Sequence, residues 1–146
     1  MPQKISIEFA HNFYQAYCIR CNPLCRELGM PQTAFDILMF LANNPEHNTA
    51  KDIVELRGLK ANLVSINVER LVREGYLDRR EFPGDRRKTT LVCTEKARPV
   101  IVRGRELQSG FFEAIFRNVD EASRENFHHV MEAIAHNLNS IMKGNN

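Results

Sequence analysis

The sequence predicts a mainly α-helical fold that contains a helix-turn-helix, a small β-hairpin and a long helix at each end of the chain. Two helical patterns meet at a tight turn around Gly58, as they do in a helix-turn-helix. Two runs typical of β-strands flank the turn sequence Pro83-Gly84-Asp85. Apolar residues recur at helical spacing both before and after this central part.

The composition is that of a globular protein. Of its 146 residues, 43% are hydrophobic and 26% are charged, which fits one domain, or one domain with an arm that packs on a partner. The net charge of +2 is too small to demand or exclude a nucleic-acid partner. No apolar run approaches the roughly 20 residues that cross a bilayer, and the N-terminus does not resemble a signal peptide. We therefore expect a cytoplasmic protein without membrane contact, whose four cysteines are thiols.

The first two helices are predicted from apolar spacing and from the residues that interrupt it. Residues 5–28 form the first helix, in which Pro23 starts a new turn or kinks the helix before Gly29 ends it. Its apolar face consists of Phe9, Phe13, Tyr17 and Leu24. The second helix begins at Pro31 and ends near Asn43. Its inward-facing residues are expected to be Phe35, Leu38 and Leu41.

The helix-turn-helix is predicted directly before the hairpin. Thr49 caps a short helix over residues 50–57, and Gly58 suits the left-handed turn that follows a helix. The second helix covers residues 61–74, and Gly75 ends it. The buried residues of the short helix are expected to be Ile53 and Leu56.

Two long helices are predicted after the hairpin. Thr94 caps the first, which runs to about Asn118, and Asp120 caps the second, which runs to about Met142. The second carries apolar residues at spacings of four and three: Phe127, Met131, Ile134, Leu138 and Ile141. This spacing is that of a heptad seam that packs along another long helix, whereas an amphipathic helix on its own core is the alternative. Because a short chain offers little core to so many long helices, we favour packing against a second copy.

The second helix of the helix-turn-helix has a core face and an outward face. The core face consists of Val64, Val68, Leu71 and Val72, with Leu63 at its border. The outward face carries Asn62, Ser65, Ile66, Glu69, Arg70 and Arg73. Asn62, Ser65 and Arg70 can hydrogen-bond to base edges or phosphates, and Ile66 can pack on a thymine methyl in a major groove. Alternatively, this face is only solvated and Ile66 is an ordinary exposed side chain.

The hairpin carries basic residues at its tip, where they help neither strand pairing nor a core. The run reads Asp85, Arg86, Arg87 and Lys88. A helix-turn-helix followed by a hairpin is a winged helix, and an arginine at the wing tip can enter the adjacent minor groove of DNA. Asp85 is expected to hold Arg87 or a neighbour through a charge-assisted hydrogen bond. A merely solubilising turn is the alternative, and we favour contact with double-stranded DNA.

These residues resemble the MarR family of bacterial transcription regulators. Residues 85–96 are similar to the wing of that family, an Asp-x-Arg motif followed by a Leu-Thr-Glu-Lys-like start of the next helix. Residues 71–79 are similar to the end of its recognition helix, and the resemblance covers essentially the whole chain. It implies a homodimer in which residues 1–30 and 96–146 form the dimerisation helices and residues 31–95 form the DNA-binding winged helix-turn-helix.

The resemblance also implies a function. Such proteins usually repress nearby genes and leave a palindromic operator when a small molecule or an oxidant acts; half-sites roughly 10 base pairs apart are expected for a dimer. The recognition residues carried over are Asn62, Ser65 and Ile66, and the wing residues are Asp85 and Arg87. Ile66 stands where many members have a polar or basic residue, so the base preference does not transfer. Cys93 likewise replaces a residue that is more often small.

Cys18, Cys21 and Cys25 lie on one helix face if the first helix continues through Pro23. Three interpretations are open: the cysteines are buried hydrophobic side chains, they form a redox switch with a low-pKa thiolate, or they provide three thiolate ligands to a soft metal. The chain departs from the hydroperoxide sensors of the family, whose reactive cysteine aligns with Ile7. It also departs from the zinc sensors, because residues 95–118 contain no histidine.

A small aromatic or amphipathic effector is therefore expected, bound between the dimerisation helices and the winged helix as the resemblance implies. Its candidate lining residues are Phe13, Tyr17, Phe40 and Arg103. No cofactor, metal site or catalytic activity is expected, since the sequence has no nucleophile elbow, phosphate-binding Gly-rich loop or well-spaced metal ligands. A winged helix used only for protein interaction is a further alternative, against which the basic wing argues.

Overall fold

The computed structural model describes residues 7–144, except for the side chains of Ile7, Phe82, Arg86 and Arg87. The helices are α1 (Ile7–Leu28), α2 (Gln32–Asn43), α3 (Ala50–Arg57), α4 (Ala61–Arg73), α5 (Arg98–Ile115) and α6 (Glu121–Met142). An antiparallel pair of strands, β1 (Leu77–Phe82) and β2 (Asp85–Cys93), lies between α4 and α5. The predicted fold class, a mainly α-helical winged helix-turn-helix, is confirmed. None of the helices described here is long and apolar enough to cross a membrane.

The chain divides into two compact units, one up to Ser109 and one from Gly110 onward. The first contains α1 to α4, the hairpin and most of α5. Its core is centred on α2, where every residue from Ala34 to Met39 is buried, together with Leu41. The buried side chains that the helix-turn-helix adds to this core are Ile53, Val64, Val68 and Leu71. The predicted inward residues of α2 and α4 are thus confirmed.

Helix α1 runs without interruption through Pro23, so the new turn predicted there is wrong. Proline removes the hydrogen bond to the carbonyl four residues earlier, here that of Ile19. Both Pro23 and Ile19 are exposed, so water can reach that part of the helix. The uninterrupted helix places Cys18, Cys21 and Cys25 along one face.

Helix α3 begins with the predicted cap and ends at the predicted glycine. The amide of Asp52 donates to the hydroxyl of Thr49 at 3.1 Å, and the Asp52 carboxylate accepts from the Thr49 amide at 3.2 Å. Gly58 has a φ of 64° and closes the helix. Ile53 is buried as expected, but Leu56 is 55% exposed, so that prediction is wrong. The packed side of α3 is centred between Ile53 and Val54; Leu56 lies roughly 110° around the helix from that centre and is exposed to solvent.

Side chains from beyond the hairpin fasten the end of α4. The Thr94 hydroxyl donates to the carbonyl of Gly75 at 2.5 Å, and the Lys96 ammonium donates to the carbonyl of Glu74 at 2.6 Å. The same ammonium lies 4.7 Å from the ring centre of Tyr76. The predicted cap is therefore wrong, because the hydroxyl of Thr94 bonds to Gly75 and not to α5. A short 3₁₀ turn, Glu95–Ala97, precedes that helix.

The second unit contains the end of α5 and all of α6. Asp120 occupies the predicted N-cap position, although its side chain makes no capping hydrogen bond, and α6 ends at Met142 as predicted. The Arg124 guanidinium donates to the carbonyls of Phe116 and Val119, at 2.8 and 3.0 Å. The rings of Phe116 and Phe127 meet edge to face, 5.4 Å apart. These contacts join α6 to the turn that precedes it.

Candidate nucleic-acid interface

Helix α4 presents the predicted outward residues to solvent. Asn62 and Ser65 are exposed, and Ile66 is 65% exposed. The opposite side of the helix is anchored in the core, where the buried Asn67 also donates its amide to the carbonyl of Leu63 at 2.8 Å. This burial of Asn67 was not predicted from the sequence. The exposed face of this well-anchored helix thus includes two of the polar side chains and the apolar side chain that were predicted to contact DNA.

Arg70 differs from the other predicted contact residues, because its guanidinium already has partners within the chain. It donates to Glu74 at 3.0 Å and to the carbonyl of Gly29 at 2.9 Å. It therefore joins α4 to the turn between α1 and α2, and its side chain is about one-third exposed. A contact with DNA stays a prediction for Arg70 and would compete with these two bonds.

The hairpin is regular at its base and irregular at its tip. The pairing is regular from Leu77 with Cys93 up to Glu81 with Thr89, but Phe82 then faces Asp85. The basic run of residues 86–88 lies between these last two pairs, in a part of β2 that departs from regular pairing. Gly84 has a φ of 87°, which suits the third position of a tight turn after proline.

The wing side chains are described only in part. Asp85 is half-buried and Lys88 is exposed. The side chains of Arg86 and Arg87 lie outside the described residues, as does the hydrogen bond expected between Asp85 and Arg87. The predicted roles of these four residues therefore stay predictions.

Among the described residues, two hydrogen bonds that the sequence did not indicate connect the hairpin to the helix-turn-helix. Arg79 of β1 donates to the Glu69 carboxylate of α4 at 2.7 Å, and this hydrogen bond lowers the pKa of Glu69. The backbone amide of Leu91 donates to the carbonyl of Asn48, just before α3, at 2.7 Å. A groove of about 410 Å³ lies between the hairpin, α3 and α4, and Ser65 contributes to its lining.

A buried carboxylate joins the first three helices. Asp36 of α2 is 6% exposed. It accepts hydrogen bonds from the Tyr14 hydroxyl at 2.6 Å and from the Gln32 amide at 2.9 Å. A guanidinium nitrogen of Arg57 lies 3.8 Å from the same carboxylate. Burial, followed by the hydrogen bond to Asp36, raises the pKa of Tyr14. The sequence reasoning missed this cluster, because a single Asp in an apolar helix carries no recognisable motif.

The four candidate effector residues lie on α1, α2 and α5. Phe13 is 39% exposed, whereas Tyr17 and Phe40 are half-buried against the core. The Tyr17 hydroxyl accepts a hydrogen bond from Gln108 of α5 at 3.0 Å. Arg103 of α5 donates to Glu27 of α1 and lowers the pKa of that carboxyl group. Arg103 also contributes to a groove of about 390 Å³ between these two helices.

The cysteines of α1 lie in an environment that favours neutral thiols. Cys21 and Cys25 are buried, and Cys18 is half-buried. Burial raises the pKa of all three thiols, that of Cys25 to about 11. A redox switch needs the opposite shift. Within residues 7–144 no group of three potential ligands among His, Cys, Asp and Glu is arranged to hold a metal ion.

Comparison with known proteins gives one family and many similar structures. Residues 28–88 match the family model of the MarR family. The structure is similar to a SlyA-like transcription regulator from Listeria monocytogenes, with 15% identity and a TM-score of 0.82 over 99% of this chain and 98% of that chain. No curated protein matches the sequence.

Two further structures are similar over almost the whole chain. A MarR transcriptional regulator from Methanosarcina mazei Go1 is 20% identical, with a TM-score of 0.78 over 92% of this chain and 96% of that chain. A MarR family transcriptional regulator from Listeria monocytogenes, in complex with a 26-mer DNA, is 16% identical, with a TM-score of 0.78 over 99% and 98%. These likenesses establish the fold.

Proposed function

Because the chain belongs to the MarR family of winged-helix proteins, we propose that it is a sequence-specific DNA-binding transcription regulator. We assign it no catalytic activity. In this proposal, α4 enters the major groove and the hairpin lies along the flanking minor groove. Residues 31–95 bind DNA, and residues 1–30 and 96–146 hold two copies together.

The outward face of α4 carries the proposal. Asn62 and Ser65 offer hydrogen-bonding groups of the kind that read base edges, and Ile66 offers an apolar group that fits against a thymine methyl. An Ile that is 65% exposed on such a helix gains contacts if a groove of DNA covers it. The opposite face is packed into the core, so the reading residues project from a rigid support.

The hairpin supports the same partner. Three basic residues, 86–88, belong to its irregular tip, and we propose that they contact phosphates or enter a minor groove. One of the similar structures, that of a regulator from Listeria monocytogenes, contains DNA. We propose that this chain also binds double-stranded DNA.

A homodimer is proposed because α6 has a row of exposed apolar side chains. Leu138 is 53% exposed and Ile141 is 64% exposed, and Phe127 and Met131 continue the same heptad positions. A soluble chain gains stability by covering such a row. A second copy provides the matching row and would bring two winged helices to a palindromic operator with half-sites roughly 10 base pairs apart.

The regulator is proposed to be a repressor that a small aromatic or amphipathic effector releases from DNA. Such a ligand acts only if it binds one spacing of the two winged helices more tightly than the other. Phe13, Tyr17, Phe40 and Arg103 are the residues proposed to meet it. They lie on α1 and α5, which belong to the proposed dimerisation segments, and on α2, which belongs to the proposed DNA-binding segment.

Fluorescence anisotropy on the DNA that flanks the gene for this chain, against scrambled DNA and over a salt series, tests the proposal. Tight binding to the flanking DNA alone is expected. Arg87→Ala should weaken that binding roughly tenfold or more and reduce the salt dependence by about one charge. Arg26→Ala, which removes an exposed positive charge from α1, is the matched control. Equal binding to both DNAs by the wild-type chain would overturn the proposal.

A further inference from the structure

Asp36 connects the first helix of the chain to the last residue of α3. Its Oδ2 atom accepts from the Tyr14 hydroxyl of α1 at 2.6 Å and lies 3.8 Å from the nearer Arg57 nitrogen of α3. Its Oδ1 atom accepts from Gln32 within α2. Both carboxylate oxygens are therefore engaged, and the carboxylate is almost fully removed from solvent.

The desolvation cost of a charge in this position has to be offset by its interactions with its partners. A buried carboxylate that loses its partners is strongly destabilising, whereas an apolar side chain of similar size would avoid the desolvation of the charge altogether. A buried ion pair is therefore weak evidence for stability and better evidence for a defined arrangement. The arrangement that Asp36 defines is the position of α3 relative to α1.

The position of Arg57 links this arrangement to the proposed reading helix. Arg57 is the last residue of α3, and α4 begins four residues later at Ala61. The intervening chain turns sharply at Gly58, whose φ is 64° and whose amide donates to the carbonyl of Val54. A shift of the Arg57 end of α3 would therefore be passed directly to the first turn of α4, which carries Asn62.

We infer that Asp36 is a positioning residue for DNA reading: it holds the end of α3, and with it the reading face of α4, in a fixed orientation to α1. This inference rests on the proposed function. If α1 belongs to the dimer interface, the Tyr14 hydroxyl is the point at which that interface meets the cluster. Asp36 then relates the spacing of two copies to the orientation of each reading helix.

The first test compares Asp36→Asn with Glu55→Gln. Asp36→Asn keeps an oxygen that can accept from Tyr14 but removes the charge that faces Arg57. Glu55→Gln removes a carboxylate that lies at the same 3.8 Å from Lys51 within α3, so it makes the same change in net charge without joining two helices. Affinity for the flanking DNA and for scrambled DNA is measured for both variants, together with dimerisation and thermal unfolding.

We expect Asp36→Asn to lower affinity for the specific DNA roughly 3- to 30-fold while binding to scrambled DNA and dimerisation persist. Glu55→Gln should change both affinities equally. An Asp36→Asn variant that melts earlier but keeps the wild-type ratio of specific to scrambled binding would overturn the inference. A wild-type chain that binds the specific and the scrambled DNA equally tightly would instead overturn the proposed function, and the inference with it.

The second test asks whether Tyr14 and Arg57 act through Asp36. Tyr14→Phe and Arg57→Gln are combined in a double-mutant cycle on specific affinity, first with Asp36 present and then in the Asp36→Asn background. Coupling between the two substitutions is expected with Asp36 and should disappear in the Asp36→Asn background. Tyr14→Phe leaves the ion pair between the buried Asp36 and the partly exposed Arg57 in place. This part of the test therefore remains usable if Asp36→Asn does not fold. Strictly additive effects with Asp36 present would refute the positioning role.

Discussion

The guanidinium of Arg79 on β1 donates a hydrogen bond of 2.7 Å to the carboxylate of Glu69 on α4. This ion pair connects the hairpin to the helix that we propose to read DNA. Both side chains are exposed, so the pair is screened by salt. It is therefore suited to steadying the hairpin against α4 and not to holding the fold together.

Glu69→Gln is predicted to lower thermal stability slightly at neutral pH and low salt. The bond to Arg79 depresses the pKa of Glu69, so its contribution is present above the unfolded pKa of the carboxyl group and is lost as pH falls through the lower folded pKa. The difference between variant and wild type should therefore shrink as pH falls below the usual titration range of a glutamate carboxyl group, and also as salt is added. Thermal unfolding over pH and salt checks this, and a difference independent of both would contradict the ion pair.

Gly104→Ala is predicted to destabilise the first unit. A Cβ atom built there would lie 2.5 Å from the sulfur of Met39 and 3.2 Å from the Phe35 ring, and both side chains are buried. The end of Met39 can move aside but the ring cannot easily follow, so about 1–3 kcal/mol is expected. Urea unfolding measures the change.

Gly110→Ala is the control for this substitution, since its added Cβ meets no described atom within 4 Å. A helical Gly→Ala change without a clash should stabilise by roughly 0.4–1 kcal/mol. If the two variants gave the same change, close packing at Gly104 would not be the cause.

The α1 cysteines are predicted to react slowly at neutral pH. With a pKa of about 11, roughly one Cys25 thiol in ten thousand is a thiolate at pH 7, and burial also raises the pKa values of Cys18 and Cys21. Alkylation by iodoacetamide, followed by mass spectrometry, should be far slower than in the urea-unfolded chain and should accelerate as pH rises. Rapid modification at pH 7 that also releases DNA would revive the redox hypothesis.

Leu138→Glu is predicted to separate the proposed dimer, because it introduces a charge into the exposed apolar row of α6. Native mass spectrometry should show monomers at concentrations where the wild type is dimeric. His136→Glu places the same carboxylate at an exposed position on nearly the opposite side of the helix and should leave the dimer intact. An intact, folded Leu138→Glu dimer would count against this seam.

The order of the helices and the hairpin followed from local signals. Thr49 and Gly58 bracket α3, Gly75 follows α4, and the apolar spacing of α2 matches its buried face, because caps, turns and periodicity act over a few residues. The outward placement of Asn62, Ser65 and Ile66 followed from the same periodicity.

The contacts that organise the candidate site were not predictable in this way. The partners of Asp36 come from three helices, and Arg79 meets Glu69 across the junction of a strand and a helix. Long-range pairs of this kind leave no spacing pattern in a single sequence. Leu56 shows a related limit. The sequence pattern placed it on the buried side of α3, but the packing of this short helix leaves it exposed.

The bonds from Thr94 and Lys96 to the end of α4 close the hairpin at its base. A loop fastened where it leaves and re-enters the body can gain or lose residues at its far end with little entropic penalty and without moving its anchors. In evolutionary terms, a hairpin anchored in this way is suited to act as an exchangeable module. The length and charge of its tip, and with them the stretch of DNA that we propose it contacts, can change while α4 and α5 keep their places.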